Sequence, residues 1–563
     1  MNSTPPPIEF ERQQIVDARK KGALSLFGVY VRLSGPGWLQ SAMTLGGGSL
    51  ASSLYLGVLG GFSLLWLQPM AVFLGIVMLG AIGYVTLSIG ERPFGAIKNH
   101  INPVLAWGWA LAALLANMVW AMPQYSLANA VVQQNLLPNI FGAEGTLGDF
   151  WGKVAITLFV LFATTMITFL YDNKGLGVKV YEWMLKGMVV MIVACFFGVV
   201  MRLTFSEEGL DWSGVLAGFI PTFDHFWKPD VSFSPLLDQL GESARAYWSA
   251  VIVNKQQDVM IAATANAVGI NMTFLLPYSM LSRGWDKDFR GLSIFDLFTG
   301  MMIPFVVVTG FVIIASSSQF HMKPAAGLLD EQGNVIADSS HRQFGQYDDL
   351  LKGRITQISE SDVEIFPAER ILAATLVKRD AADLSQALTP LTGDTIANWV
   401  FGLGVLGMTL SSITLMMLIS GFVICEIFNF PHGGWQHRLG CMAAATGTLG
   451  PFIWSGKTLF WLAVPTSVFN YTLLPLAYIT FFIMMNSKRL LGDNIPRGAN
   501  RVVWNTLMGT ATVLTTIGAV WQVSAKAGVY GIVAIVVFTI VVLFGFTLRK
   551  PEGYNPTPNI SDR

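Results

Sequence analysis

The chain has 563 residues, of which 53% are hydrophobic and only 12% are charged, and its formal net charge at pH 7 is zero. Soluble domains carry about 25% charged residues, so this composition excludes an ordinary soluble protein, and no basic run with interleaved aromatics indicates nucleic-acid binding. Apolar runs of about 20 residues, each long enough to cross a bilayer as a helix, recur along the whole chain. The sequence therefore predicts an all-α polytopic membrane protein.

The apolar runs define about twelve predicted membrane spans. They lie near residues 35–60, 62–88, 103–133, 150–171, 177–203, 257–282, 292–317, 394–428, 437–456, 458–485, 501–523 and 527–547. The polar N-terminal segment has no short apolar core followed by a cleavage site, so we expect the first span to act as its own insertion signal.

The distribution of Lys and Arg predicts the topology. Basic residues precede span one and follow spans two, four, six, ten and twelve, whereas the opposite short connections carry almost none. Because cytoplasmic connections are rich in Lys and Arg, we expect both termini to be cytoplasmic, in an inner or plasma membrane. The predicted divisions are a cytoplasmic segment 1–34, a first repeat 35–203, an extracytoplasmic loop 204–256, a second repeat 257–485 with an extracytoplasmic insertion 318–393, two further spans 486–547 and a cytoplasmic tail 548–563.

Span one contains three consecutive glycines and a serine, Gly46 to Ser49, near its middle. Each interior glycine costs a helix about 1 kcal/mol relative to alanine, so the run predicts a local break. Irregular backbone at membrane depth is tolerated only where it is buried in protein or lines a polar cavity. Discontinuous helices of this kind form the substrate sites of secondary transporters, and the break is therefore the predicted centre of the site.

If spans one to five and six to ten are inverted repeats, span six should be interrupted as span one is. Its midsection, residues 263–273, is polar and contains Gly269, with Pro277 four residues further on. The pattern agrees with a second break. Glycine and proline are also more frequent in membrane helices generally, which is the simpler interpretation of this segment alone.

Three stretches resemble the Nramp divalent-metal transporters. The first is Gly35-Pro36-Gly37 with its following Gly-rich break, Gly57, Gly61 and Leu64-Leu65-Trp66; the second is span eight from Gly402 to Glu426; the third is Leu473 to Leu476 with Asn486 to Asp493. The resemblance covers about residues 35–525. It implies a LeuT-type core of ten helices in an inverted repeat plus two peripheral helices.

The same resemblance shows where this chain departs from the family. The family's D-P-G-N motif falls on Gly46, Gly47, Gly48 and Ser49, so the acidic metal ligand is replaced by glycine. With Gly269 aligned, the family's M-P-H-N begins at Thr273, and sliding it by one or two residues places the soft ligand at Met272 or Asn271 without supplying the histidine. The missing histidine implies weak or absent proton coupling.

We therefore expect a site of neutral oxygen donors. The predicted substrate-binding residues are Gly46, Gly47, Gly48, Ser49, Asn271, Met272 and Thr273, of which Ser49, Asn271 and Thr273 are the candidate metal ligands. Further cavity or coupling residues are Asn266, Gln124, Ser411, Ser412 and Thr414, although a Ser/Thr cluster in a span also serves ordinary interhelical hydrogen bonding.

Three functions fit these residues. The favoured one is an Nramp-like secondary transporter or facilitator that moves a divalent cation of the Mg²⁺ or Mn²⁺ type by alternating access. The second is a sodium- or proton-coupled carrier (a symporter) of a small organic solute such as an amino acid, whose carboxylate would meet a half-helix N-terminus. The third is a non-transporting relative acting as a receptor or scaffold. No enzyme signature stands out, and we expect no cofactor; the expected partners are a metal ion or small solute as cargo and the lipid bilayer, with no nucleic acid.

Overall fold

The computed structural model describes residues 7–171, 176–206, 209–330, 332–337, 341, 343–357, 365–379, 383, 394–453 and 462–547. The predicted cytoplasmic tail 548–563 and parts of the insertion 318–393 lie outside the described residues. Within these ranges the regular structure is helical, and an isolated bridge joins Leu329 and Val335. The prediction of an all-α protein is confirmed.

Eighteen described helices have at least seven residues, and we number them in chain order. They are α1 (Pro7–Lys21), α2 (Ala23–Leu33), α3 (Pro36–Thr44), α4 (Gly47–Gly60), α5 (Leu67–Ile89), α6 (Pro103–Val131), α7 (Gly148–Tyr171), α8 (Leu176–Thr204), α9 (Glu242–Ala267), α10 (Met272–Ser282), α11 (Arg290–Leu297), α12 (Ile303–Phe320), α13 (Phe344–Gln357), α14 (Pro367–Leu376), α15 (Asp394–Phe428), α16 (Trp435–Cys441), α17 (Ala463–Asn486) and α18 (Gly498–Thr547).

The described helices account for most of the twelve predicted membrane spans. Eight helical stretches are long and apolar enough to cross a bilayer, and the bent pair α3 and α4 makes a ninth. The run α18 is two helices joined at a kink, where Gly528 adopts φ 55°, and this kink falls at the start of predicted span twelve. A left-handed backbone is accessible to glycine at little steric cost, so the sequence places the turn there.

Two predicted boundaries differ from the structure. The helix of span six begins at Glu242 rather than near residue 257, so α9 extends into the segment assigned to the outer loop. Predicted span nine is a short helix, α16, followed by a 3₁₀ stretch from Met442 to Leu449. The two threonines and the glycine of that stretch have low helix propensity. Hydropathy does not measure helix propensity, so the apolar run alone predicts a continuous span.

The two interrupted spans lie side by side in the middle of the bundle. Helices α3 and α4 meet at an angle of 54°, and the break between α9 and α10 spans residues 268–271. Helix α4 packs between α9 and α12, while α6 packs against α15. The predicted pairing of a break in span one with a break in span six is therefore observed.

Candidate functional site

The first break lies where the glycine run predicts it. Helix α3 ends at Thr44, Gly46 is extended with φ −97° and ψ 178°, and α4 begins at Gly47. The Gly47 amide donates to Gln124 Oε1 of α6 at 2.9 Å, and the Ser49 hydroxyl donates back to the Thr44 carbonyl. Backbone groups released by the break are thus satisfied by side chains, as a buried break requires.

The glycines of this break are needed for close approach between helices. All three have negative φ, so left-handed backbone is not the reason for them. A Cβ atom on Gly48 would lie 2.5 Å from Asn266 Oδ1 of α9, and one on Gly47 would lie 2.8 Å from Gln124 Oε1. Both distances are shorter than an unstrained carbon–oxygen contact. Side chains from neighbouring helices, with the apolar Leu127 also beside Gly47, therefore occupy the space that larger residues would fill.

Asn266 joins the two interrupted spans. It is fully buried, and its Nδ2 donates to the Gly48 carbonyl at 2.9 Å and to Ser52 Oγ at 3.2 Å. Ser467 of α17 donates to its Oδ1 at 2.9 Å. The amide is satisfied on both sides by protein groups, so Asn266 holds α4, α9 and α17 together at the break.

The polar residues that open α10 are bonded to α6. Asn271 Nδ2 donates to Asn117 Oδ1 at 2.8 Å, and Asn271 Oδ1 accepts from the Met272 amide at 2.9 Å. Trp109 Nε1 donates to Thr273 Oγ1 at 2.7 Å. The structure thus brings Asn271 and Thr273 to the second break, where each already has protein partners.

The Met272 sulfur lies between the two breaks. Its Sδ is 3.6 Å from Thr44 Oγ1 and 3.4 Å from the Gly269 amide nitrogen, and its carbonyl accepts from Gln40 Nε2 at 3.4 Å. The end of α3 and the start of α10 therefore meet through this residue. Met272 was predicted as a candidate soft donor, and the structure places its sulfur between the two interruptions.

The span-eight cluster separates into two parts. Ser411 of α15 donates to the Ala42 carbonyl of α3 at 3.1 Å, and the Ser412 hydroxyl points at Gly46. Thr414 instead donates to Leu410 of its own helix, and the Thr414 carbonyl accepts from Thr168 of α7. The two serines therefore belong to the break, and Thr414 lies on the face that packs against α7.

Several buried polar atoms around the first break form no hydrogen bond with the described residues. They are Gln40 Oε1, Ser41 Oγ, Trp120 Nε1 and Ser412 Oγ, all on side chains less than 4% exposed. An unsatisfied buried polar group costs about 1 to 3 kcal/mol. A polar molecule that formed hydrogen bonds with these atoms would remove that cost. Sequence reasoning missed Gln40 and Trp120, although Trp120 lies between Asn117 and Gln124 on one face of α6.

The acidic side chains near the span ends bond to protein groups away from the breaks. Asp296 accepts from the backbone amides of Gly35 and Gly37, Asp258 pairs with Lys526 at 2.9 Å, and Glu426 pairs with Arg92 at 3.1 Å. No group of three or more His, Cys, Asp or Glu residues in the described ranges is arranged to hold a metal ion. The donors at the breaks are therefore neutral.

The chain is similar in fold to a manganese transporter of Eremococcus coleocola. A histidine-to-alanine variant of that protein superposes with a TM-score of 0.60 at 14% identity, covering 93% of this chain and 94% of that chain. The same transporter in complex with an aromatic bis-isothiourea substituted compound gives 0.59 at 14% identity, over 94% and 95%. These values define the class as a polytopic membrane protein with the LeuT-type fold.

Sequence comparisons find a similarity that covers part of the chain. The model of natural resistance-associated macrophage protein-like (Nramp) proteins matches residues 368–525. Metal transporter Nramp2 of Oryza sativa subsp. japonica is 27% identical over 176 residues, which is 31% of this chain and 30% of that protein. The match thus spans less than a third of the rice relative. Sequence and fold therefore both indicate similarity to Nramp proteins.

Proposed function

We propose that this protein is a transporter or facilitator that moves a divalent cation across the membrane by alternating access, with the cargo bound between the two breaks. Similarity to Nramp proteins and to a metal transporter supports a divalent cation as the cargo. The convergence of α3, α4, α9 and α10 at one buried, polar point supports the location, because secondary transporters bind their cargo at such paired interruptions.

The observation that carries the proposal is the neutral set of oxygens at the break. Moving an ion out of water without compensating charge costs tens of kcal/mol by Born arithmetic, and no carboxylate among the described residues serves the break. A cation that keeps several waters avoids most of this cost. Magnesium dehydrates reluctantly, and unpartnered oxygens such as Gln40 Oε1 and Ser412 Oγ suit contact with its water shell.

A small organic solute is the second candidate, and one observation favours it. The Trp120 indole N–H is a donor only, forms no hydrogen bond with the described residues, and lies 3.0 Å from the position of a Cβ on Gly48. It therefore points at the N-terminus of α4, where the helix dipole favours an anion. A carboxylate would satisfy both groups.

Uptake into proteoliposomes separates the candidates. Purified protein is reconstituted and tested with Mg²⁺, Mn²⁺, Ca²⁺ and small neutral amino acids, each with and without a pH gradient. We expect Mg²⁺ uptake above that of empty liposomes, with little effect of the gradient because residues 272–276 contain no histidine. Uptake of an amino acid alone would overturn the metal proposal and support the second candidate.

The site itself is tested by replacing its two central polar residues. The double variant Ser49→Ala with Asn271→Ala removes a hydroxyl of α4 and an amide of α10, and we expect uptake to fall at least about tenfold, equivalent to about 1.4 kcal/mol. The matched control is Ser279→Ala, since that hydroxyl bonds only to the Leu276 carbonyl of its own helix. Size-exclusion profiles confirm folding, and Ser49→Ala alone serves if the double variant is unstable. Wild-type uptake in the folded variant would contradict the assignment.

We further propose that both termini lie in the cytoplasm of a cell with the protein in its inner or plasma membrane. The support is the one-sided distribution of basic residues under the positive-inside rule. Single cysteines introduced at exposed positions of α1 and of the outer loop, probed with a membrane-impermeant thiol reagent on intact cells, test it. Labelling at α1 before lysis would overturn the orientation.

A further inference from the structure

A cavity of about 460 Å³ lies between α9, α17 and α18, within the range of about 300 to 1,000 Å³ for small-molecule sites. Most of its wall is apolar and includes Val468 and Phe469 of α17 and Val523 of α18, while Asp258 of α9 and Lys526 of α18 add a charged part. Phe469 is 40% exposed on a helix long and apolar enough to cross a bilayer. The cavity is therefore open to the lipid.

Three polar side chains of this cavity have unused hydrogen-bonding capacity. The Lys526 ammonium lies 2.9 and 3.0 Å from the two carboxylate oxygens of Asp258, and both side chains are partly exposed. A carboxylate offers about four acceptor sites and an ammonium three donors, so each can bond beyond the pair. Gln522 of α18 lines the same cavity, is 2% exposed, and its Oε1 forms no hydrogen bond with the described residues. The cavity thus offers an ammonium donor and two acceptor groups.

The ion pair lies at the depth of lipid headgroups. From Asp258 to the break that follows Ala267 is about 15 Å along α9 at 1.5 Å per residue. Half of the hydrocarbon core is also about 15 Å thick, and interrupted helices are centred near the bilayer midplane. Lys526 shortly precedes the kink at Gly528, where α18 changes direction. Both charges therefore lie at the boundary between hydrocarbon and headgroups, in the outer leaflet of the proposed topology.

We propose that this cavity binds one zwitterionic phospholipid with a primary ammonium, its phosphate on Lys526 and its ammonium between Asp258 and Gln522. The headgroup dipole then lies antiparallel to the ion pair, so each charge meets its opposite, and the acyl chains cover Val468 and Phe469. A headgroup with a net negative charge would bring an uncompensated anion to Asp258, and a quaternary ammonium has no N–H to donate to Gln522 Oε1. The site therefore selects phosphatidylethanolamine, whatever cargo the protein carries.

Native mass spectrometry tests the lipid preference independently of transport. The purified, delipidated full-length protein is mixed with equal concentrations of phosphatidylethanolamine, phosphatidylcholine and phosphatidylglycerol that share the same acyl chains, and the first bound lipid is identified. We expect phosphatidylethanolamine to bind at least about tenfold more tightly than the other two, the effect of one charge-assisted hydrogen bond. Equal binding of the three lipids would overturn the proposal, since it would show an apolar groove without headgroup recognition.

Two variants test the assigned contacts. Lys526→Gln removes the partner of the phosphate, and we expect the affinity for phosphatidylethanolamine to fall about tenfold. Gln522→Leu should lower that affinity to the level of phosphatidylcholine without lowering the melting temperature in detergent, because Gln522 Oε1 has no hydrogen bond with the described residues to lose. Lys153→Gln, which breaks the ion pair with Asp149 on α7 outside this cavity, is the matched control and should keep the wild-type preference. Unchanged lipid binding in both Lys526→Gln and Gln522→Leu would overturn the proposal, because the lipid would then bind elsewhere.

Discussion

At the scale of single residues, the carboxylate of Asp296 fixes the start of the first half-helix. It accepts from the amides of Gly35 and Gly37 at 3.2 and 2.7 Å and from the Ser34 hydroxyl, and it is 1% exposed. These amides are among the unpaired donors at the N-terminus of α3, where the helix dipole favours a negative charge. Asp296 is therefore a structural residue that orients α3 toward the break.

Replacing this carboxylate by an amide should loosen α3. In Asp296→Asn one oxygen becomes an NH₂ group, which cannot accept from a backbone amide, and we expect a loss of about 1.5 to 3 kcal/mol, the range for hydrogen bonds to charged groups. A lower apparent melting temperature in detergent is the measurement. Asp493→Asn, which changes a fully exposed partner of Arg497, is the control and should change little. Equal melting temperatures for Asp296→Asn and the control would contradict this role.

At the scale of elements, stacked rings close the region between the break and the loop that follows α15. Trp109, which bonds to Thr273 at the break, stacks on Phe274 with ring centroids 3.8 Å apart. Phe274 stacks on Tyr278 at 5.7 Å, and Tyr278 on Phe422 at 5.4 Å. The column joins α6, α10 and α15, so any opening on this side has to separate it.

A charged cluster lies at the far end of this column. His432 Nε2 lies 2.9 Å from Glu426 Oε1, which also pairs with Arg92, and the rings of Tyr278 and His437 face the same imidazole. Burial lowers the pKa of His432 from its ordinary value of 6.5, with Glu426 opposing the shift and Arg92 and His437 adding to it. The folded protein therefore favours the neutral imidazole.

This lowered pKa predicts a loss of stability in mild acid. As the pH falls below about 6.5 the unfolded chain binds a proton that the folded chain resists, so stability declines from there down through the folded pKa of His432. We expect His432→Gln to reduce the fall in apparent melting temperature between about pH 7.5 and about pH 5.5. His341→Gln, outside this cluster, is the control and should keep the wild-type fall. An unchanged pH dependence in His432→Gln would contradict the assignment.

At the scale of the whole molecule, the segment between α12 and α15 is bonded to both interrupted spans. Glu369 of α14 is fully buried, accepts from Trp248 Nε1 of α9 at 2.9 Å, and pairs with Arg354 of α13 at 3.3 Å. The Tyr55 hydroxyl of α4 donates to the Arg379 carbonyl at 2.5 Å. This segment therefore contacts both interrupted spans, through α4 of the first and α9 of the second.

Breaking the buried pair should detach this segment. Glu369→Ala leaves the 5% exposed Arg354 without its carboxylate, and removing one partner of a buried pair costs about 3 to 5 kcal/mol. Limited proteolysis between α13 and α15 and the apparent melting temperature are the measurements. The exposed pair of Asp348 and Lys352 provides the control, since Asp348→Asn should cost under about 1 kcal/mol. Proteolysis at the wild-type rate in Glu369→Ala would refute the fastening role.

The sequence by itself determined the helical membrane class, the positions of most spans, and the two interruptions. These follow from hydropathy and from glycine, which act locally and are visible in any window of the chain. The resemblance to Nramp transporters also predicts a site without an acidic ligand, because Gly46 and Ser49 stand at the positions of the family's motif. In the described residues, the start of α9, the 3₁₀ form of span nine and the position of Thr414 away from the break departed from the prediction.

Only the tertiary structure decided what surrounds the breaks. That Ser412 fills the space beside Gly46, that Trp120 points at Gly48, and that Asn271 and Thr273 already have partners on α6 depend on which helix faces meet. These residues are far apart in the chain, and no periodic pattern encodes their distances. Hydropathy determines that a segment crosses the membrane, whereas the packing of small residues against neighbouring helices determines which atoms meet at its centre.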